Sequence, residues 1–336
     1  MKKNSFTLFC FILAAALILT FFLSFGVGSY PMSPGTVCRV LWQGITGKGD
    51  VPPVFMQVVW QVRIPRIIMA ILVGGALSVS GTGYQLLFQN PMVSPDILGV
   101  SAGAGFGAAA AMLAGGGLWL IRSVSFLFGI GAVLLTTLIV RLVRQRGAVI
   151  YILAGLVVST FFQAMIAVLK TLADTDDVLP SITFWLMGSL GKANPAAAGH
   201  MLLLSVFCLI PPFLIRYHIN VLALGEETAR TTGVPMKRLR GIIITSSTLL
   251  TVGAVSLCGI IGWIGLIVPH IARFFVGAKF EHLLPASFLA GGLLLLIIDN
   301  LIRMKDGIAL PVGVLTALVG SPLFVLIMLR ERRALA

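Results

Sequence analysis

The sequence predicts an all-α polytopic membrane protein of about ten transmembrane helices, and three observations carry that prediction. Of 336 residues, 58% are hydrophobic and only 10% are charged, and mean hydropathy is +1.05. Apolar runs recur along the chain between short charged or proline-rich breaks, each run near the roughly 20 residues that a spanning helix needs. The basic residues behind the net charge of +13 sit in those breaks. That is the distribution of cytoplasmic loops, not of a nucleic-acid-binding stripe.

Taken in order, the candidate spans lie near 6–28, 64–84, 96–114, 120–140, 149–170, 200–215, 241–258, 263–277, 283–302 and 310–329. The first follows Lys2-Lys3 and is either a signal peptide or a spanning helix. Its apolar run from Phe6 to Val27 exceeds a signal core and no A-x-A site follows, which favours an uncleaved helix. No polar segment is long enough for a soluble domain, so 1–336 is one transmembrane domain. With Lys2 and Lys3 on the cytoplasmic side, alternation puts Arg141/Arg144/Arg146, the 216–240 loop and Arg330/Arg332/Arg333 on that side too. Both termini are then cytoplasmic. The Pro/Gly-rich stretch 29–61 and the acidic patch Asp174, Asp176 and Asp177 fall outside.

Two stretches resist a plain helix. Gly241 to Gly277 is too long for one span and carries Gly259, Gly262, Gly265 and Pro269, which predicts two shorter, broken segments. Between Pro180 and Pro195 the apolar piece Ile182–Leu190 predicts a short helix near the outer surface. Broken helices are tolerated in a bilayer where the freed backbone is buried in protein or lines a cavity. Gly99, Gly103 and Gly107 strip one helix face of side chains, which favours close helix packing and leaves a dimer face open.

Chemistry of its own is hard to find in the chain. The nearest approach to a phosphate-cradling loop, Gly44-Ile45-Thr46-Gly47-Lys48-Gly49, lacks the spacing and the hydroxyl, so ATP is not hydrolysed here. Cys10, Cys38, Cys208 and Cys258 are scattered, as are His200, His218, His270 and His282, of which only His270 follows a break, at Pro269. Neither a metal nor a cofactor is expected. Acidic residues inside spans are few, Asp96 and Asp299, which counts against ion coupling. Asp299 is a proton relay or the partner of Arg303 four residues on, and pairing is the simpler account.

The 216–240 loop is the most informative polar segment. Gly225 and Gly233 bracket one short helix of mixed apolar and charged residues, either a solvated connector or a docking knob for a partner, and the paired stops favour the knob. Arg63, Arg66 and Arg303 break the positive-inside trend at the outer ends of two spans. They snorkel to lipid headgroups or receive carboxylates of a soluble partner.

Several motifs in one order then give a resemblance. Arg63-Ile64-Pro65-Arg66, Gly74-Gly75-Ala76-Leu77-Ser78-Val79-Ser80-Gly81, Asn90-Pro91-Met92 and Leu98-Gly99-Val100-Ser101-Ala102-Gly103 resemble the iron-siderophore and vitamin B12 ABC importer permeases. So do Ala223 to Arg230, Gly262 to Arg273 and Leu310 to Ala317, and together they cover about 60 to 330. The resemblance implies a type II ABC importer permease fold in the bacterial inner membrane, working as a homodimer. It also implies a separate ATP-binding subunit and a periplasmic or lipoprotein solute-binding protein. Leu222, Ala223, Leu224, Gly225, Glu226, Glu227, Ala229, Arg230 and Gly233 become a coupling helix seated on the ATPase. Arg63, Arg66 and Arg303 become receptors for glutamates of the binding protein. Asn90, Pro91 and Met92, with Gly147, Ala148 and Val149, become candidates for the cytoplasmic constriction, although the second stretch lacks hydroxyl residues. The implied cargo is a metal chelate, a ferric siderophore first, with haem, cobalamin or a molybdate-type oxyanion also open. An ion-coupled secondary transporter is the alternative, and a membrane scaffold without flux is a third class.

Overall fold

The computed structural model describes residues 3–28, 30, 32–143, 147–304 and 310–335, without the side chains of 3–5 and 330–335. Lys2, Arg144 and Arg146 lie outside the described residues, as do the side chains of Lys3, Arg330, Arg332 and Arg333. Among the described residues every regular element is helical. In chain order these are α1 (Lys3–Leu23), α2 (Pro34–Thr46), α3 (Pro53–Gln57), α4 (Ile64–Leu87), α5 (Val100–Leu113), α6 (Leu118–Val143), α7 (Ala148–Leu172) and α8 (Val178–Leu186). Then follow α9 (Pro195–Leu214), α10 (Arg216–Leu222), α11 (Glu226–Thr231), α12 (Met236–Cys258), α13 (Ile264–Val276), α14 (Phe280–Arg303) and α15 (Val312–Leu335). Among the described residues eight helices are long and apolar enough to cross a membrane, and α5 and α13 are shorter apolar helices. These ten correspond to the ten spans expected from the sequence.

At the centre lies α4, whose residues from Ala70 to Leu87 are almost all buried. Small residues let its neighbours approach closely. A Cβ on Gly81 would collide with the carbonyl of Gly265 on α13, so only glycine fits that crossing. Polar side chains then tie the helices where lipid offers no competing partner. Ser80 donates to the Ser247 carbonyl at 2.7 Å, the Tyr84 and Thr248 hydroxyls meet at 2.9 Å, and Gln85 donates to the Leu266 carbonyl at 2.9 Å. On α5, a Cβ at Gly103 or Gly107 would lie 2.6 Å from a carbonyl of α6, as close packing requires. Gly99 does a different job from the one its spacing suggests, capping the start of α5 at φ 83°.

Three other stretches add detail to the expectation. The Pro/Gly-rich region 29–61 holds α2 and α3, each with proline in its first turn, where the missing N–H costs nothing. A π-turn over Val58–Arg63 then leads into α4, with Ile64 donating to the Val59 carbonyl. The stretch 241–277 is two segments, as expected, parted at 259–263. The helix α12 runs unbroken for 23 residues from Met236, while Pro269 sits inside α13. The break itself, 259–263, is flanked by backbone that finds partners, with Ser189 donating to the Cys258 carbonyl at 2.7 Å and Val312 to that of Gly188 at 3.0 Å. The short helix expected in 178–199 is present as α8, from Val178 to Leu186.

Candidate functional site

Two groups of side chains stand out, one at each end of the bundle. At the first end, α9 carries Pro211 and Pro212 in its last turn and stops at Leu214, so the chain leaves the bundle into α10 and α11. Gly225 at φ 126° and Gly233 at φ 79° bound α11, as their spacing predicts. Leu222, Ala229 and Val234 are buried and root the knob, whereas Ala223, Leu224, Glu227, Arg230 and Gly233 face outward. Glu226 points back. Its Oε1 accepts from Arg230 at 2.6 Å and its Oε2 from Arg240 of α12 at 2.7 Å. Burial alone would raise the Glu226 carboxyl, but hydrogen bonds and charge from Arg230 and Arg240 outweigh it and hold the group below the usual carboxylate range. Gln89, just past α4 at φ 50°, donates to the Leu222 carbonyl at 3.1 Å and fixes the other side of the knob.

A cavity of about 130 Å³ joins Gln89, Gly147, Ala148, Tyr151, Glu226 and Arg240. The structure thus brings two of the constriction candidates together with one coupling candidate, Glu226, which the sequence treats as separate. Val149 is 63% exposed, outside that cavity. Asn90, Pro91 and Met92 form a turn beside it, closed by Met92 N–H donating to Asn90 Oδ1 at 2.9 Å.

At the other end, a cavity of about 1180 Å³ lies between the starts of α4 and α6, α8 and the ends of α12 and α14. Arg63, Arg66 and Arg303 all line it. Each is committed inside the molecule. Arg63 is 4% exposed, and its guanidinium donates to the carbonyls of Phe25 and Tyr30. Arg66 binds Asp299 through Nη2 and Nε, each at 2.9 Å from Oδ1, and Arg303 Nε lies 2.9 Å from Asp299 Oδ2. The Asp299–Arg303 pair expected from the helix spacing is present, with Arg66 as a second partner that the spacing could not disclose. Arg66, with 20% of its side chain exposed, is the most open of the two that hold Asp299.

Sequence reasoning passed over Gln89, Arg240 and Arg122. No local pattern marks Gln89 or Arg240, because each acts across the fold. Arg122 carried a signal that went unused: an arginine within an apolar run is expensive and calls for a reason. It lines the large cavity and is 6% exposed. His270, singled out for its proline neighbour, is buried with its ring edge-on to Phe274 at 5.3 Å.

A model of the FecCD transport family matches residues 16–330. The chain belongs to this family. As a FecCD protein it is an ABC importer permease. It is 36% identical to the molybdate import system permease protein MolB of Haemophilus influenzae, over 99% of this chain and 98% of MolB. Likeness to the vitamin B12 import system permease protein BtuC of Citrobacter koseri is also 36%, over 82% of this chain and 84% of BtuC. An iron chelatin transport system permease protein of Helicobacter pylori is 34% identical over 82% of this chain and 83% of its own. Among solved structures, an inward-facing metal-chelate type ABC transporter superposes with TM-score 0.85 at 34% identity, covering 96% of this chain and 98% of the other.

Proposed function

We propose that this FecCD permease forms a homodimer in the bacterial inner membrane and passes a metal chelate inward, driven by ATP hydrolysis on a separate subunit. The observation that carries the reading is the knob of α10 and α11, rooted by buried Leu222 and Ala229 and pinned to α12 through Glu226 and Arg240. A lever needs such a mount, because a helix that merely dangled would transmit no displacement. The ATP-binding subunit seats on the outward residues Ala223, Leu224, Glu227, Arg230 and Gly233, and movement passes to Gly147 and Ala148 at the start of α7. Asn90, Pro91, Met92 and Val149 complete the cytoplasmic constriction. Both termini and the basic loops face the cytoplasm, by the bias of Arg141, Arg216, Lys237, Arg238 and Arg240.

On the outer side a periplasmic or lipoprotein binding protein docks over the mouth of the large cavity. Arg66 meets its carboxylates, while Arg63 and Arg303 hold the rim through the internal contacts described above. Arg66→Gln is expected to weaken docking in a salt-dependent way, and undiminished docking removes this role. The cargo proposed is a ferric siderophore, with haem, cobalamin or a molybdate-type oxyanion as alternatives, the last supported by the likeness to MolB.

Reconstitution decides between this and an ion-coupled secondary transporter. Vesicles holding the permease, its ATPase and its binding protein are expected to accumulate solute only with ATP. Uphill uptake by the permease alone, powered by a proton or sodium gradient, would overturn the reading. The two intramembrane carboxylates favour the importer, since Asp299 is held by two arginines and Asp96 accepts from Ser101.

A further inference from the structure

The large cavity has a charge character that docking does not explain. Arg63, Arg66, Arg122, Lys192 and Arg303 line it, opposed among the described lining residues by the carboxylate of Asp177, with Asp299 behind Arg66 and Arg303. Most of those cations have partners. Arg122 is the exception in kind, because only a 3.2 Å bond from Nη2 to the Lys192 carbonyl is made and its buried Nε has no hydrogen-bond partner among the described residues. An arginine that is 6% exposed, lines a cavity and leaves a buried donor unpaired is costly unless something completes it. The cavity is of the size that encloses a chelate, about 1180 Å³. At its mouth stands the exposed ammonium of Lys192.

We infer that Arg122 is the anchor of an anion-binding vestibule on the outer side, which selects for solutes carrying negative charge: an oxyanion or an anionic metal chelate. A guanidinium in a water-poor pocket donates its fork to oxygens of such a solute, and the surrounding cations raise its local concentration. An uncharged chelate of equal size gains nothing from Arg122 and leaves it desolvated. This inference rests on the permease reading and its outward orientation of the cavity, and narrows the cargo class within it. A carboxylate of the binding protein is the rival occupant, disfavoured because Arg122 is only 6% exposed.

The test uses the permease alone in nanodiscs, without binding protein or ATPase. The probes are molybdate, a ferric tris-catecholate, which is anionic, and a ferric tris-hydroxamate, which is uncharged and of similar size. Saturable, salt-sensitive binding of at least one anionic probe is expected. Arg122→Gln should weaken it about tenfold or more, Arg122→Lys should weaken it less, and the tris-hydroxamate should respond to neither. Thermal unfolding of each variant separates lost binding from lost fold, with Arg122→Lys as the charge-keeping control. Equal anion affinity in Arg122→Gln, or no saturable anion binding by the unaltered permease, would each overturn the inference. Normal ATP-driven uptake alongside either of those results would leave the permease reading standing.

Discussion

Two carboxylates in this permease each hold a pair of arginines, and they do so in different solvents. Asp299, 0% exposed, binds Arg66 of α4 and Arg303 of its own helix. Glu226, 36% exposed, binds Arg230 of its own helix and Arg240 of α12. In both, one partner lies four residues away on the same helix and the other arrives from a distant segment. Away from water, an unpaired charge is not rehydrated, so the Asp299 cluster must stay whole and locks α14 to α4. At the water-facing knob, each partner exchanges with solvent at little cost, so the Glu226 cluster sets an orientation more than a stability. The same chemistry thus makes a rigid brace in one place and an adjustable mount in the other.

The comparison breaks most visibly at the buried member. Asp299→Ala leaves Arg66 and Arg303 without their counter-charge, and a cost of about 3–5 kcal/mol is expected for a broken buried pair. Thermal unfolding in detergent should show a large loss and poor membrane yield. Replacing Asp299, Arg66 and Arg303 together with leucine should recover much of it, because an apolar cluster asks for no partners. If Asp299→Ala unfolds like the unaltered protein, the cluster is wetter than its burial indicates and the contrast with Glu226 fails.

That contrast also marks what the sequence could disclose. Periodicity and length place all ten apolar helices, because hydrophobic matching to a bilayer is written locally. The Asp299–Arg303 and Glu226–Arg230 pairs are equally legible, being separated by one helical turn. Arg66 and Arg240 are not, since they reach their carboxylates across 233 and 14 residues and no local rule encodes such a meeting. The π-turn before α4 escaped for a similar reason. Pro65 announces a disturbed ladder, but which way the chain bends, and that Arg63 is thereby turned onto the carbonyls of Phe25 and Tyr30, depends on the packed α1 end.

The second expected effect separates orientation from stability at the knob. Arg240→Gln should change unfolding by less than about 1 kcal/mol, because Glu226 keeps Arg230 and water. ATP-driven uptake, in contrast, should fall several-fold or more while ATP hydrolysis continues, since the knob loses its tie to α12. Glu226→Gln should behave alike. A variant with normal coupling would show that the buried roots Leu222 and Ala229 suffice to mount the lever.

The smallest effect is the response of the two clusters to pH and salt. The Glu226 carboxyl is held below its ordinary value in the folded protein, so its contribution is fully present above the ordinary carboxylate value and is lost as pH falls through the depressed one. Amide exchange of α11, compared between neutral and increasingly acidic buffer, should quicken only in that low window. High salt should loosen the same amides modestly, because at about 1 M the screening length shrinks to roughly 3 Å and exposed pairs weaken first. Exchange in α14 near Asp299 should follow the salt far less, since Asp299 is 0% exposed and Arg303 only 9%. Parallel salt sensitivity at both ends would mean that the two carboxylates share one environment, and that the division between brace and mount is wrong.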